Sequence, residues 1–97
     1  MVTKLLKVVS KTEPVYVQSK KQEGGQLAKS YVRLKELGGD FTDEYYCAAF
    51  GETATQKLEQ NELVVVALRF QTHEVNGAIY QDVVAQEILK VNDVKAF

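Results

Sequence analysis

The chain has 97 residues, below the roughly 100 to 200 typical of a domain, which leaves a single fold to carry the function. An apolar share of 45% beside 26% charge excludes intrinsic disorder, and no apolar run approaches the roughly 18 residues of a membrane span. The net charge of −1 excludes a uniformly basic nucleic-acid binder.

Val occurs 14 times against 2 Ile, with 5 Tyr, 4 Phe and 1 Pro, a composition suited to pleated, half-buried surfaces and so to a mostly β fold. The near-neutral total hides a gradient. Residues 1–36 carry eight basic and three acidic groups, a net +5, whereas residues 37–97 carry four basic and ten acidic groups, a net −6. Cys47 is the sole cysteine, so no internal disulfide forms, and Lys4 and Lys7 interrupt the only candidate signal segment after Met1. A cytoplasmic, unanchored protein is expected.

Breakers divide the chain into five extended segments. The first, from about Lys4 to Ser19, is interrupted near Pro14, which has no N–H and belongs at a bulge or edge. Its opening, Leu5, Leu6, Val8 and Val9 among lysines, also fits a short amphipathic helix, but Val15-Tyr16-Val17 carries the strand pattern onward. The second, Gln26 to Glu36, alternates strictly, with Ala28, Ser30, Val32 and Leu34 on one face and Lys29, Tyr31, Arg33 and Lys35 on the other. The third, Asp43 to Phe50, sets Tyr45, Cys47 and Ala49 against Tyr46, Ala48 and Phe50 and stops at Gly51.

Thr53 followed by Gln56 fits a capping box, predicting a two-turn helix over Ala54 to Gln60 with Leu58 as its inward anchor and Asn61 as a left-handed stop. Asn76-Gly77 then predicts a type I′ hairpin joining Glu62–Val75 to Ala78–Val91. Across that turn His73 faces Tyr80, Phe70 faces Val83 and Leu68 faces Ala85. Phe70, Leu68, Val66 and Val64 are expected to share a face with Val83, Ala85 and Leu89. Glu87 interrupts this apolar set while Val65, Val84 and Ile88 make the opposite face apolar, so a bulge or a subunit contact is expected. The fold class is therefore all-β: a five-stranded OB-fold Greek-key barrel over residues 1–97, with one short helix between the third and fourth strands.

Val8-Val9-Ser10-Lys11-Thr12-Glu13-Pro14, Tyr31-Val32-Arg33-Leu34, Tyr45 to Gly51, and the hairpin with Val66 to Thr72, Asn76-Gly77, Tyr80 and Val83 to Ile88 resemble the bacterial single-stranded DNA-binding proteins and the related primosomal replication proteins. Nearly the whole chain is covered in order, by short and substitution-tolerant pieces. The chain has no Trp, and Glu44, or Tyr45 after a one-residue slip, falls where that family commonly carries a base-stacking Trp. The resemblance implies a bare core domain without an acidic-tipped tail, assembling as a dimer or tetramer and serving replication, repair or recombination.

Sequence-independent binding of a single strand needs cations for phosphates and flat rings for bases. Lys29, Tyr31, Arg33 and Lys35 supply both on one face, Lys20 and Lys21 lie in the preceding loop, and Tyr46 and Phe50 extend the rings to the next strand. His73 and Tyr80 form a pair near the hairpin tip, and Arg69 is a phosphate contact or the ion-pair partner of Asp82 or Glu74. No catalytic residue, cofactor or metal site is expected. Gly24 to Ser30 only faintly resembles a phosphate-binding loop, since Glu23 and Ala28 stand at the required glycine positions. The expectation is single-stranded DNA binding; the alternative is an OB-fold protein-interaction module whose basic stripe meets an acidic partner.

Overall fold

Alternation in the second segment builds the strand that organises the molecule. The structure, a computed structural model, describes residues 1–18 and 25–91. It has six strands and one turn of helix: β1 (Val2–Lys11), β2 (Val15–Gln18), β3 (Gln26–Glu36), β4 (Glu44–Phe50), α1 (Glu52–Thr55), β5 (Leu63–Val75) and β6 (Ala78–Lys90). The sheet runs β1-β5-β6-β4-β3-β2, and an additional β1–β3 pairing closes five of these strands into a ring. The architecture is an all-β, barrel-like fold.

The first segment is two strands because of Pro14. β1 pairs with the distal half of β3 and β2 with its proximal half, so both lie on the same side of β3. Between them the Thr12 N–H donates to the Tyr31 carbonyl at 2.9 Å and the Tyr31 N–H donates to Thr12 Oγ1 at 2.9 Å. A hydroxyl thus takes over the ladder's acceptor role just before a residue that cannot donate.

Inside the ring the even-numbered side chains of β1 and β3 meet the odd ones of β4. Leu6, Val32, Leu34, Cys47, Ala49, Val64, Val66 and Leu68 are wholly buried, and Val8, Ala28, Ala85 and Ile88 nearly so. Burial raises the Cys47 thiol to about 11, so it packs as a small hydrophobe.

The helix is shorter than the sequence predicts. It starts at Glu52, which puts Thr53 inside the turn; Gly51 (φ 64) occupies the cap position with no side-chain cap, and Gln56 is already extended at ψ 134. Buried Ser30 Oγ donates to the Ala54 carbonyl at 3.0 Å, satisfying an acceptor that the one-turn helix leaves without an N–H partner four residues on. Ala54 is the inward anchor, with Leu58 only packed against the core's margin. Asn61 is left-handed (φ 70), but it turns an irregular stretch back onto β1, donating to the Val8 carbonyl at 2.7 Å.

The hairpin has the expected I′ turn, both central residues having positive φ, and the expected His73–Tyr80, Phe70–Val83 and Leu68–Ala85 pairs. Below them the register shifts: Ala67 pairs with Glu87 while Leu68 pairs with Ala85, leaving Gln86 as an extra residue. This bulge turns Ile88 inward and Leu89 outward, the reverse of simple alternation, because one inserted residue exchanges the faces of everything beyond it.

One end of the ring is closed by a polar cluster. Glu36 Oε1 accepts from Lys4 Nζ at 3.0 Å and from the Tyr45 hydroxyl at 2.9 Å, and the Tyr45 ring meets Phe70 edge-on at 6.5 Å. The Lys4 hydrogen bond, then that of Tyr45, holds the Glu36 carboxyl below its usual range, and the same contact raises Lys4. A depressed carboxyl contributes stability above its unfolded value and loses it as pH falls through the folded one. Denaturant midpoints of the parent should therefore fall on acidification through the carboxylate range, and Glu36→Gln should flatten that dependence; equal slopes for both proteins would refute the role given to Glu36.

Candidate nucleic-acid interface

Because β3 and β4 pair in register, their outward side chains form one surface. Lys29 lies opposite Phe50, Tyr31 opposite Ala48, Arg33 opposite Tyr46 and Lys35 opposite Glu44. Ala48 is the low point. Its methyl leaves space across from Tyr31, whose ring reaches the diagonal Tyr46 and stacks on it, centroids 5.3 Å apart and planes within 10°. Lys29 Nζ sits 5.1 Å from the Tyr31 ring centre and 5.7 Å from that of Phe50. Along the strand Lys29 and Tyr46 flank Tyr31 on opposite sides, giving a row of Phe50, Lys29, Tyr31 and Tyr46. Tyr46, at 61% exposure, presents the most open ring of that row.

The charges are partly matched. Arg33 Nε donates to Glu44 Oε1 at 2.7 Å with both side chains about half exposed, an arrangement whose contribution to stability is on the order of 0 to 1 kcal/mol. Such a pair can exchange its carboxylate for a phosphate at small cost. Lys35 is on the same face. Lys20 and Lys21 lie outside the described residues.

The parallel Ala48–Val84 contact brings β6 alongside β4 and carries the surface onto the hairpin. Lys29, Tyr31, Tyr46, Ala48 and Phe50 on one side, and Gln71, Gln81, Asp82, Val83 and Val84 on the other, line a cleft of about 310 Å³. That is the lower end of the range for small-ligand clefts, roughly 300 to 1,000 Å³. Farther out His73 stacks on Tyr80 at 5.4 Å and 24°, and His73 Nδ1 lies 2.8 Å from Asp82 Oδ2.

Arg69 does not pair with Asp82 or Glu74, the partners its sequence position suggests. Its guanidinium faces the Gln71 side-chain amide two positions along the same strand face, which accepts from Nε at 3.2 Å and Nη2 at 3.1 Å with its oxygen oriented toward the arginine, and Asp82 is held by His73 instead. The face therefore brings together Lys29, Tyr31, Arg33, Lys35, Tyr46 and Phe50, with Arg69, His73 and Tyr80 on the adjoining hairpin face. Sequence reasoning missed Ala48 as the floor and Gln71, Gln81 and Asp82 as the opposite wall. The parallel β4–β6 contact creates that wall, and no periodicity within either strand reveals it.

The Tyr31–Tyr46 pair should show a coupling of about 0.5 to 1.5 kcal/mol in a double-mutant cycle of Tyr31→Ala and Tyr46→Ala followed by chemical unfolding; additive losses would mean the rings stabilise independently. The chain matches no protein-family model, no curated protein and no solved structure, which leaves the chemistry of this face as the ground for its function.

Proposed function

We propose that the ring is an OB-type barrel that binds single-stranded DNA without strong sequence dependence across β3, β4 and the hairpin. Taking β1 and β2 as one strand bent at Pro14, the ring order is first, fourth, fifth, third, second and back to the first, with one turn of helix between the third and fourth, as in a five-stranded OB barrel. The second and third strands of that fold, here β3 and β4, form its usual oligonucleotide face.

The stacked Tyr31–Tyr46 pair beside Lys29 and Phe50 carries the proposal. Buried aromatics serve a core, but these rings stand on the outer face with Tyr46 exposed and a cation among them, the combination a base and its phosphate require. Arg33 and Lys35 extend the cationic line, and His73 with Tyr80 offers a second stack. Glu44 and Asp82 on the same surface favour a second reading, a protein-interaction module, because a surface that only tracked phosphates would exclude carboxylates.

Titrating a fluorescently labelled single strand of mixed sequence at two salt concentrations decides between them. Tyr46→Ala should weaken binding by about 1 to 3 kcal/mol, and Lys29→Ala should reduce the salt slope by roughly 0.7 for one lost phosphate contact. Absence of binding at low salt by the folded wild type would refute DNA binding and leave the interaction module.

The expected homo-oligomer has separate support. Leu5, Val65 and Leu89 align across β1, β5 and β6 on the outside of the ring, Leu5 and Leu89 being about half exposed, and Leu63 and Leu37 lie exposed as well. Covering this row with a second copy removes it from water. Sedimentation should give at least a dimer for the wild type and a smaller species for Leu5→Lys/Leu89→Lys; a monomeric wild type would exclude the assembly.

A further inference from the structure

The wall opposite the tyrosines is built to hydrogen-bond and carries no net positive charge. Gln71, Gln81 and Asp82 line it, facing Lys29, Tyr31 and Tyr46 across the cleft. The Gln81 amide adapts to either donors or acceptors, Gln71 has its oxygen turned to Arg69, and an ionised carboxylate only accepts. Asp82 is also held in place: Oδ2 lies 2.8 Å from His73 Nδ1, while His73 rests against Tyr80. One oxygen is thereby anchored and the other left for a ligand, at a residue 52% exposed. A carboxylate there repels phosphates. What it favours is a neutral donor, and on a strand whose bases stack on the facing rings the donors nearest the wall are the base edges.

Resting on the single-strand reading above, we propose that Asp82 selects bases bearing an exocyclic amino group, so that the cleft prefers cytosine over thymine. The two pyrimidines stack alike on tyrosine and differ mainly at the edge: cytosine presents N4–H₂, a donor that suits a carboxylate, where thymine presents the O4 acceptor, which the carboxylate repels. Lys29 and the rings supply affinity common to all sequences, and Asp82 supplies the difference between them. Specificity then comes as much from a rejected acceptor as from a new contact.

Anisotropy titrations with labelled oligo-dC and oligo-dT of about 15 nucleotides, within the range one barrel covers, test this. The wild type should bind oligo-dC roughly five- to tenfold more tightly, the scale of one charge-assisted hydrogen bond gained against a repulsion. Asp82→Asn, whose amide can turn to offer either polarity, should bind both strands and bring the ratio to about one. Equal or tighter binding of oligo-dT by the wild type, or an unchanged ratio in Asp82→Asn, overturns the base selection while leaving DNA binding intact. Failure of either strand to bind the folded wild type overturns both. Far-ultraviolet circular dichroism of Asp82→Asn, which alters an exposed position on the arm, distinguishes a changed ratio from a misfolded hairpin.

Discussion

Pairing of β3 with three neighbours at once is the constraint on which the molecule depends. β1 and β2 share one of its sides and β4 holds the other, so neither its register nor its facing is free to change. The inward row Ala28, Ser30, Val32 and Leu34 is committed to the core, and the outward row Lys29, Tyr31, Arg33 and Lys35 is committed to the surface by the same geometry. A slip of one residue would bury Lys29, Arg33 and Lys35 while exposing Val32 and Leu34. The ring's interior and its candidate interface are therefore two sides of one decision, and Ser30, the buried polar member of β3, ties the strand to α1 through the Ala54 carbonyl.

Much of this was legible in the residues. Alternation in β3 and β4, the break at Pro14 and the Asn76-Gly77 turn each express a local rule, and the corresponding strands, faces and cross-strand pairs appear in the structure. What alternation does not encode is where it lapses. The break in the apolar set at Glu87 points to a bulge or a contact without fixing which residue is extra, so Ile88 and Leu89 exchange places relative to simple alternation. The capping pattern at Thr53 and Gln56 is similarly overruled, since the chain turns extended at Gln56 and the Ala54 carbonyl is met by Ser30, distant in sequence. The cleft was the least legible part. Each of its walls is a readable strand face, but their meeting depends on the Ala48–Val84 contact between strands far apart in the chain.

The division of charge along the chain also takes on a spatial sense. The basic first third provides β3, and the acidic remainder provides a partner that moderates it, Glu44 meeting Arg33 across the β3–β4 ladder; within the basic third itself, Glu36 meets Lys4 at the barrel end. Asp82 sits across the cleft from Lys29. Near-neutrality is thus not an absence of electrostatics but a set of exposed, weakly held pairs.

The extra residue in β6 bears on how the hairpin relates to the barrel beneath it. Above Gln86 the inward positions are Val83 and Ala85, and below it Ile88, so the strand keeps two independent phases joined at one residue. The arm from Arg69 to Asp82 is exposed throughout and contributes nothing to the core. Its ties to the barrel are the edge-on contact of Phe70 with Tyr45 and the cleft wall of Gln71, Gln81 and Asp82. The bulge thus lets one strand serve a packed container below and the far wall of the cleft above, each with its own choice of facing residues.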